Sequence, residues 1–264
     1  MTNRHPKQQA QPILASTIMP IRDTEKGLQV FMAVRSQKAS FFPGAWVFPG
    51  GKIEEDDAPH LWDNLYQKSQ LSANELQIRI GAIRELFEET SLLLAYDQHK
   101  TNEQTFINQD EIRYRGNEVK SSHLRDLLKE NNWYLASEHL EPFAHWITPK
   151  AFSKRYDTYF FLAVAPKEQK AIHDGTELTD STWCYPDEML QRVKNGIISM
   201  IFPTKLNLMK LSLAKNTTEA IKQAQETKKI TIVPELIKEK EQFFLEIPKE
   251  SNYPISRELF KFPK

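Results

Sequence analysis

The sequence predicts an α/β (α+β) fold, a sandwich of helices around a mixed β-sheet. Apolar runs rich in β-branched residues alternate along the chain with segments of helical periodicity, and hairpin signals occur near the N-terminus. The chain has 264 residues, of which 40% are hydrophobic and 27% charged. This composition supports a sizeable core and excludes global disorder.

Charge and cysteine content exclude several functional classes. Lys and Arg number 35, Asp and Glu also number 35, and the net charge is zero. Because binding to nucleic acid or to an anionic membrane needs a basic excess, neither is expected. Cys184 is the single cysteine, which excludes disulfide scaffolds and cysteine-based zinc sites. With no apolar run near the ~18 residues of a membrane span, the sequence predicts a soluble cytoplasmic protein.

The first elements form a hairpin followed by glycine turns. Residues 1–12 are polar and are expected to be flexible. Strands are predicted over Ile13–Ile21 and Gly27–Val34, and a short apolar run, Ala45–Phe48, follows them. Residues 49–51, Pro-Gly-Gly, come directly after that run. Glycines in this position mark a turn or a close approach of the backbone to a ligand.

Helices and strands then alternate through the middle of the chain. Apolar residues at three- and four-residue steps predict a helix over Ser72–Leu94, and Asp97–Asn117 is expected to be irregular. The further predicted elements are a helix over Ser121–Asn131, strands over Phe143–Thr148, Tyr156–Ala165 and Ser181–Tyr185, and helices over 186–193 and 203–214.

The remaining segment, 216–264, is expected to be an extension packed on the domain. It is rich in Lys, Glu and Gln. Ile230–Val233 and Phe243–Ile247 are expected either to pair as a hairpin or to pack on the domain surface. The charge alternation over 238–241 is interpreted as a solvated face.

The residues with the clearest chemistry lie in the long predicted helix. Glu85, Glu88 and Glu89 are spaced i, i+3 and i+4, so their carboxylates share one helix face. Arg84 precedes Glu88 by four residues and can pair with it. Three carboxylates in one turn repel one another unless a cation neutralises them, and Mg²⁺ or Mn²⁺ suits such oxygen ligands. The alternative interpretation of the three glutamates is a solvated acidic helix face. The glycine turn at 50–51 favours the metal site, because its backbone carbonyl could be a further ligand.

These residues resemble the Nudix hydrolase box, G-x5-E-x7-R-E-U-x-E-E-x-G-U, in which U is a bulky aliphatic residue. The chain matches it with Gly51, the run RELFEE at 84–89 and Leu92. It departs at Asp57 in place of the first glutamate and at Ser91 in place of the last glycine. In addition, 26 residues (58–83) stand where the box has seven. A long insertion of this kind resembles the coenzyme A diphosphatase-like branch of the family.

The resemblance implies a Nudix-type α/β/α sandwich over 13–215, with 58–83 as an insertion. It also implies Mg²⁺ or Mn²⁺ bound by three helix carboxylates, a turn carbonyl and a loop acid. The implied metal ligands are Glu85, Glu88, Glu89, the carbonyl of Gly50, and Glu177, with Asp174 as the competitor for the loop position. Glu85 or Glu177 would accept the proton from the attacking water, and Arg84 would hold the carboxylates in place.

Four residues near the glycine turn are candidates for substrate binding. Arg35 could hold a phosphate, although a surface ion pair is an equal alternative. Trp46 or Phe48 could stack on a base, but aromatic residues in a strand are more often core residues. Gly51 would allow the backbone to approach the substrate.

The leading hypothesis is a metal-dependent hydrolase that cleaves the phosphoanhydride of a nucleoside diphosphate linked to another moiety. The resemblance to the branch implies coenzyme A or acyl-coenzyme A, while ADP-ribose, dinucleotides and nucleotide sugars remain open. The rival hypothesis is a Nudix-fold sensor that binds a metabolite without hydrolysing it. A small-molecule diphosphate is the expected partner, and a homodimer is the assembly considered.

Overall fold

The protein, described by a computed structural model over residues 10–39, 42–67, 70–98, 106–107 and 121–261, contains thirteen strands and five α-helices in these residues. The strands are β1 (Ile13–Thr24), β2 (Gly27–Arg35), β3 (Trp46–Val47), β4 (Gly50–Lys52), β5 (Ala95–Asp97), β6 (Trp133–Leu135), β7 (Glu141–Ile147), β8 (Tyr156–Val164), β9 (Leu178–Cys184), β10 (Thr231–Ile232), β11 (Glu235–Glu239), β12 (Gln242–Glu246) and β13 (Arg257–Phe260). The helices are α1 (Ala73–Thr90), α2 (Ser121–Asn131), α3 (Pro186–Lys194), α4 (Phe202–Leu211) and α5 (Thr217–Glu226).

An eight-stranded mixed sheet forms the centre of the molecule. Its order is β10-β7-β8-β1-β2-β3, with β4 paired to β1 and β9 paired to β2. The β1–β8 and β10–β7 pairs are parallel, and the other pairs are antiparallel. Strand β1 therefore has parallel and antiparallel neighbours, as a mixed sheet requires.

Helices cover both faces of this sheet. Successive residues of β1 point to opposite faces, so Ile18 packs in the core cluster of α1 and α2 while Met19 packs in that of α4 and α5. In β8, Phe161 and Leu162 divide between the same two clusters. The fold is thus an α/β/α sandwich, and the predicted fold class is confirmed.

Most predicted elements are present, with boundaries that differ at a few positions. The helix predicted to reach Leu94 ends at Thr90, although Leu92, Leu93 and Leu94 are buried. The apolar pattern continues past the helix because the chain stays in the core after it stops being helical. Helix α5 was not predicted, and much of Asp97–Asn117 lies outside the described residues.

Of the two alternatives expected for Ile230–Val233 and Phe243–Ile247, the hairpin between them is wrong. Thr231 and Ile232 pair in parallel with β7 at the edge of the main sheet. The strand β12 pairs instead with β11, and the turn between them places Lys240 at φ 52°. Residues 238–241, which were interpreted as a solvated charged face, belong to the end of β11 and to the turn into β12. Their alternating charges hide this strand and turn in the sequence.

The C-terminal segment contacts the rest of the chain at several places. Helix α5 packs against β7 and β1, and Leu245 and Ile247 join the core cluster of α4. The division into an N-terminal segment 1–12, a domain over 13–215 and an extension over 216–264 stays a prediction, as do the homodimer and the cytoplasmic location. Across the described residues, the helices are all too short or too polar to cross a bilayer.

Helix α1 has well-defined signals at both ends. The Ser72 hydroxyl accepts from the Glu75 N–H, and the Glu75 carboxylate accepts from the Ser72 N–H at 3.0 Å, which forms a capping box. At the other end Ser91 adopts φ 59°, and its N–H donates to the carbonyl of Phe87 at 2.8 Å. The serine found where the Nudix box has glycine therefore adopts the left-handed conformation that glycine favours.

We expect Ser91→Gly to raise the free energy of unfolding by about 1 kcal/mol, because a non-glycine residue in the left-handed region is strained. Chemical denaturation of the two proteins measures the difference. Ser91→Ala is the matched control and should remain within about 0.5 kcal/mol of the wild type, since alanine keeps the strain. Equal stability of the glycine and alanine variants would contradict the explanation.

Candidate active site

A cavity of about 1050 Å³ opens on one side of the main sheet. Its wall includes the glycine turn of β4, the acidic face of α1, and residues of β1 and β8. The sequence-predicted residues that line it are Arg35, Phe48, Gly50, Gly51, Arg84, Glu85, Glu88 and Glu177. The sheet and α1 thus bring together residues that are up to 142 positions apart in the sequence.

The glycine turn allows β4 to pass close to both β1 and α1. Gly50 has φ 152°, and a Cβ at this position would lie 2.3 Å from the carbonyl oxygen of Ser16. A Cβ at Gly51 would lie 2.4 Å from the carboxylate of Glu85. Any side chain at 51 would therefore displace the acidic group from the turn, which explains why glycine occupies both positions.

Arg84 organises the acidic face of α1. Its Nη1 donates to Glu85 at 3.0 Å and to Glu88 at 2.9 Å, while Nη2 donates to the carbonyl of Lys52 at 2.9 Å. Nε and Nη2 also donate to the two carboxylate oxygens of Asp57, at 2.7 and 3.0 Å. All five guanidinium N–H groups are thus used, and Arg84 is 2% exposed.

Asp57 is the partner that holds Arg84 from the far side. It is fully buried, and its carboxylate also accepts from the N–H of Glu54 at 2.8 Å. Aspartate in place of the expected glutamate therefore still reaches the arginine. A Cβ on Gly81 would lie 2.7 Å from this carboxylate, so the space around it is tightly filled.

The predicted insertion, 58–83, is only partly a loop. Its last eleven residues, 73–83, form the first turns of α1. Earlier in the segment, Trp62 and Leu65 are buried in the core cluster that surrounds α1. This segment is therefore anchored by its apolar residues and does not simply project into solvent.

The three glutamates lie in an environment that disfavours their negative charge. Burial raises the pKa of Glu85 to about 7, with Glu88 and Glu177 adding repulsion and Arg84 opposing the shift. Burial also raises the pKa of Glu88. Glu89 is 7% exposed and accepts from the N–H of Gly50 at 2.8 Å, but burial and the charge of Glu85 raise its pKa well above the usual value.

Asp174 and Glu177, the two candidates for the loop metal ligand, lie in the loop before β9 and have different surroundings. Glu177 lines the cavity, and its charge acts on both Glu85 and Glu89. The carboxylate of Asp174 instead accepts from the N–H groups of Thr176, Glu177 and Leu178, at 3.0, 2.8 and 2.9 Å. Although burial opposes them, these hydrogen bonds hold the pKa of Asp174 below its usual value. Asp174 thus shapes the loop, and Glu177 faces the other acids.

The candidates for substrate binding occupy different places. The Nε of Arg35 is buried beside the cavity without a hydrogen-bond partner among the described residues, and the charge of Arg35 lowers the pKa of Glu89. Phe48 is 3% exposed and lines the cavity. Trp46 is 8% exposed, and the Arg192 guanidinium lies 5.6 Å from its ring centroid. In the described part of the chain, Trp46 is not among the cavity-lining residues, so it occupies a core position.

Several cavity residues were not singled out from the sequence. Thr17 of β1, Thr158 of β8 and Phe152 of the β7–β8 loop line the wall, as does Phe260 of β13. Their contribution depends on strand order and on the fold of the C-terminal segment. A sequence pattern could place the first two on strands but could not show that these strands are neighbours.

The donor set of the cavity consists of carboxylates, which suits a hard divalent cation. Glu85, Glu89 and Glu177 repel one another, and a cation would relieve that repulsion. As arranged, Glu85 and Glu88 accept from Arg84, and no group of three or more ligating side chains converges in the described ranges. The carboxylates suit a divalent cation. To coordinate it, Glu85 and Glu88 would have to rotate away from Arg84 or bind the cation and Arg84 at the same time.

Comparison with known proteins adds an independent line of evidence. The model of the NUDT19 Nudix domain matches residues 67–211. The acyl-coenzyme A diphosphatase NUDT19 of Xenopus laevis is 26% identical over 225 residues, which cover 69% of this chain and 59% of that protein. The protein of the same name from Gallus gallus is 25% identical and covers 67% of this chain and 59% of its own length. The chain thus spans about three fifths of these curated relatives.

A solved structure shows the same architecture. The crystal structure of a NUDIX hydrolase from Alicyclobacillus acidocaldarius superposes with a TM-score of 0.67 and 24% identity. The match covers 80% of this chain and 96% of that one. At this identity, the similarity supports the arrangement of strands and helices described above.

Proposed function

The chain belongs to the Nudix family, in the branch of the NUDT19 Nudix domain, and on this premise we propose that it is a Mg²⁺- or Mn²⁺-dependent diphosphatase. It would cleave the phosphoanhydride of a nucleoside diphosphate linked to another moiety. The observation that carries the proposal is that Arg84, Glu85, Glu88 and Glu177 line one cavity, while Glu89 accepts from the N–H of Gly50 in the glycine turn of its wall.

The metal ligands would come from α1, from the glycine turn and from the loop before β9. Glu85, Glu88 and Glu89 would hold the ion, with the Gly50 carbonyl and Glu177 completing the protein ligands. A bound Mg²⁺ or Mn²⁺ stabilises charge on the diphosphate oxygens and lowers the pKa of an attacking water.

The protein's own side chains would orient the substrate and accept the proton. The buried Nε of Arg35, which has no hydrogen-bond partner within the described part of the chain, suits a phosphate oxygen as its acceptor. Glu85 and Glu177 are the two candidates for the base that takes the proton from the attacking water. Arg84 would position Glu85 and Glu88 without contacting the reacting atoms.

Coenzyme A or acyl-coenzyme A is the substrate that we propose within this class. The curated relatives from Xenopus laevis and Gallus gallus are named acyl-coenzyme A diphosphatases. Hydrolysis would release an adenosine bisphosphate and a phosphopantetheine, acylated when the substrate is acylated. ADP-ribose, dinucleotides and nucleotide sugars are the competing substrates.

Asp57, Ser91 and the insertion, the three departures from the Nudix box, are the grounds for the sensor hypothesis, and the first two keep the geometry around α1. Asp57 forms two hydrogen bonds with Arg84, and Ser91 adopts the expected left-handed conformation. A protein that only binds a metabolite has no need for an arginine that donates four hydrogen bonds to acidic side chains. These observations favour hydrolysis over sensing.

A hydrolysis screen with mass identification of products tests the function. Coenzyme A, octanoyl-coenzyme A, ADP-ribose, NADH and a nucleotide sugar are incubated with the protein and with Mg²⁺ or Mn²⁺. We expect the two coenzyme A compounds to be cleaved at the diphosphate, and EDTA to abolish the reaction. Tight binding of one compound without release of product from any of them would support the sensor instead.

Metal binding has its own readout that does not require turnover. Mn²⁺ at about 100 times its dissociation constant should stabilise the folded protein by roughly 2.7 kcal/mol, which appears as a higher Tm. An unchanged Tm over a range of Mn²⁺ concentrations would contradict the proposed metal site.

A further inference from the structure

The cavity extends across four neighbouring strands of the main sheet, and its two ends differ chemically. Lys52 of β4 pairs with Ala15 of β1, which pairs with Thr158 of β8, and Thr158 pairs with Trp146 of β7. All four residues of this row line the cavity. Adjacent strands are about 4.8 Å apart, so three spacings separate the row's ends by roughly 14 Å.

The β4 end is ionic. The Lys52 carbonyl accepts from Arg84, and the neighbouring Gly51 lies against the Glu85 carboxylate. If the proposed function holds, the diphosphate is cleaved at this end.

The row ends at Trp146 of β7, and the cavity wall also includes aromatic residues of the β7–β8 loop and of the C-terminal strand; we call this set the aromatic end. Phe152, in the loop between β7 and β8, meets Phe260 of β13 edge-on, with ring centroids 5.5 Å apart. Leu259 also lines the cavity and is 43% exposed, which is high for a large apolar side chain in a wall. Covering an apolar surface of this kind with an apolar ligand is favourable, because it removes that surface from water.

Strand β13 is held firmly in this position. It pairs with β12 over four residues, and Glu258 accepts from the Nζ of Lys205 in α4 at 2.8 Å. The Phe152–Phe260 contact ties it to the β7–β8 loop. The aromatic end is therefore a fixed wall of the cavity.

We propose that this aromatic end binds the acyl chain of an acyl-coenzyme A, so that β13 makes the protein prefer acylated over free coenzyme A. The inference rests on the proposed function, and it assigns the acyl group of the substrate to the aromatic end. An extended pantetheine arm has about thirteen bonds between its phosphorus and its sulfur, which gives a reach of roughly 15 Å. This reach is close to the length of the row from Lys52 to Trp146.

Adenine fits the aromatic end less well. Its ring is only roughly 6 Å from the nearest phosphorus along the ribose, which is less than half the length of the row. Phe152 and Phe260 also contact each other edge-on, which leaves no slot between the two rings for a base. The length and the shape of the cavity both favour the flexible pantetheine arm with its acyl chain over adenine.

The reaction products provide a test that does not depend on hydrolysis. Octanoyl-phosphopantetheine and phosphopantetheine both carry the phosphate but have no anhydride to cleave. Their dissociation constants are measured by calorimetry with Mg²⁺ on the full chain and on the Phe260→Ala and Phe152→Ala variants. The matched control is Phe244→Ala, on the neighbouring strand, where the Arg257 guanidinium stacks at 4.1 Å from the ring centroid.

We expect the wild type to bind the octanoyl compound at least tenfold more tightly than phosphopantetheine. Phe260→Ala and Phe152→Ala should each reduce this ratio about fivefold, and Phe244→Ala should keep it within twofold of the wild type. A wild-type ratio near one, or a ratio that neither cavity variant changes, would overturn the inference. Because the ratio is independent of turnover, a failure of the proposed hydrolysis would be seen separately in the substrate screen.

Discussion

Replacing Glu88 by glutamine is expected to reduce Mg²⁺-dependent hydrolysis about 10³-fold or more while leaving the protein folded. The Glu88 side chain is 21% exposed, accepts from Arg84 at 2.9 Å and faces the cavity. Glutamine has the same size and can still accept that hydrogen bond, but it lacks the charge that attracts the ion. A loss of 10³-fold corresponds to about 4 kcal/mol of transition-state stabilisation, a magnitude that metal chemistry supplies. Steady-state kinetics with coenzyme A as substrate measures the effect.

The matched control is Glu75→Gln at the other end of the same helix. Glu75 belongs to the capping box and is remote from the acidic face, so its replacement should cost stability alone, about 1 kcal/mol. Its turnover should stay close to that of the wild type. If Glu88→Gln kept more than a tenth of wild-type turnover, Glu88 would not be a metal ligand.

The second large effect is expected on stability. Arg84→Met removes the cation that pairs with the fully buried Asp57, and the remaining hydrogen bond from Glu54 does not neutralise that carboxylate. Breaking a buried ion pair by removing one partner costs about 3–5 kcal/mol. Urea unfolding at neutral pH should therefore show a correspondingly lower free energy of unfolding.

Arg79→Met provides the comparison for this experiment. Arg79 is also buried on α1, but its Nη1 donates to the carbonyls of Ser137 and Leu140, at 2.8 and 2.6 Å. Its removal leaves no unpaired buried carboxylate, and we expect a cost of about 2 kcal/mol. An Arg84→Met variant as stable as Arg79→Met would show that the Asp57 pair contributes little.

The fold was largely predictable because local signals and sheet patterns agree. Ser72 and Glu75 mark the start of α1 in the sequence, and the apolar runs of β1, β2 and β8 indicate strands. The end of α1 was not predictable from periodicity, since the residues after Ser91 remain apolar while the backbone changes direction. The pairing of β10 with β7 was also missed, because two residues carry too little pattern to identify a parallel partner.

The candidate site was predictable where its residues are close in sequence. Helical spacing placed Glu85, Glu88 and Glu89 together, and the structure shows all three on the same turns beside Gly50 and Gly51. Spacing could not distinguish Glu177 from Asp174, because the distinction depends on which carboxylate turns back to its own loop. The roles of these residues in metal binding and catalysis remain predictions.

The pairing of β10 with β7 has a consequence for how the chain folds during synthesis. Strand β7 is completed at Ile147, but its parallel partner begins at Thr231, and α5, which also packs against β7, precedes that partner only slightly. An unpaired strand edge is a template for pairing with other chains. Until the C-terminal segment emerges from the ribosome, His145 and Trp146 lack their strand partner, and this part of the edge is open to pairing with other chains.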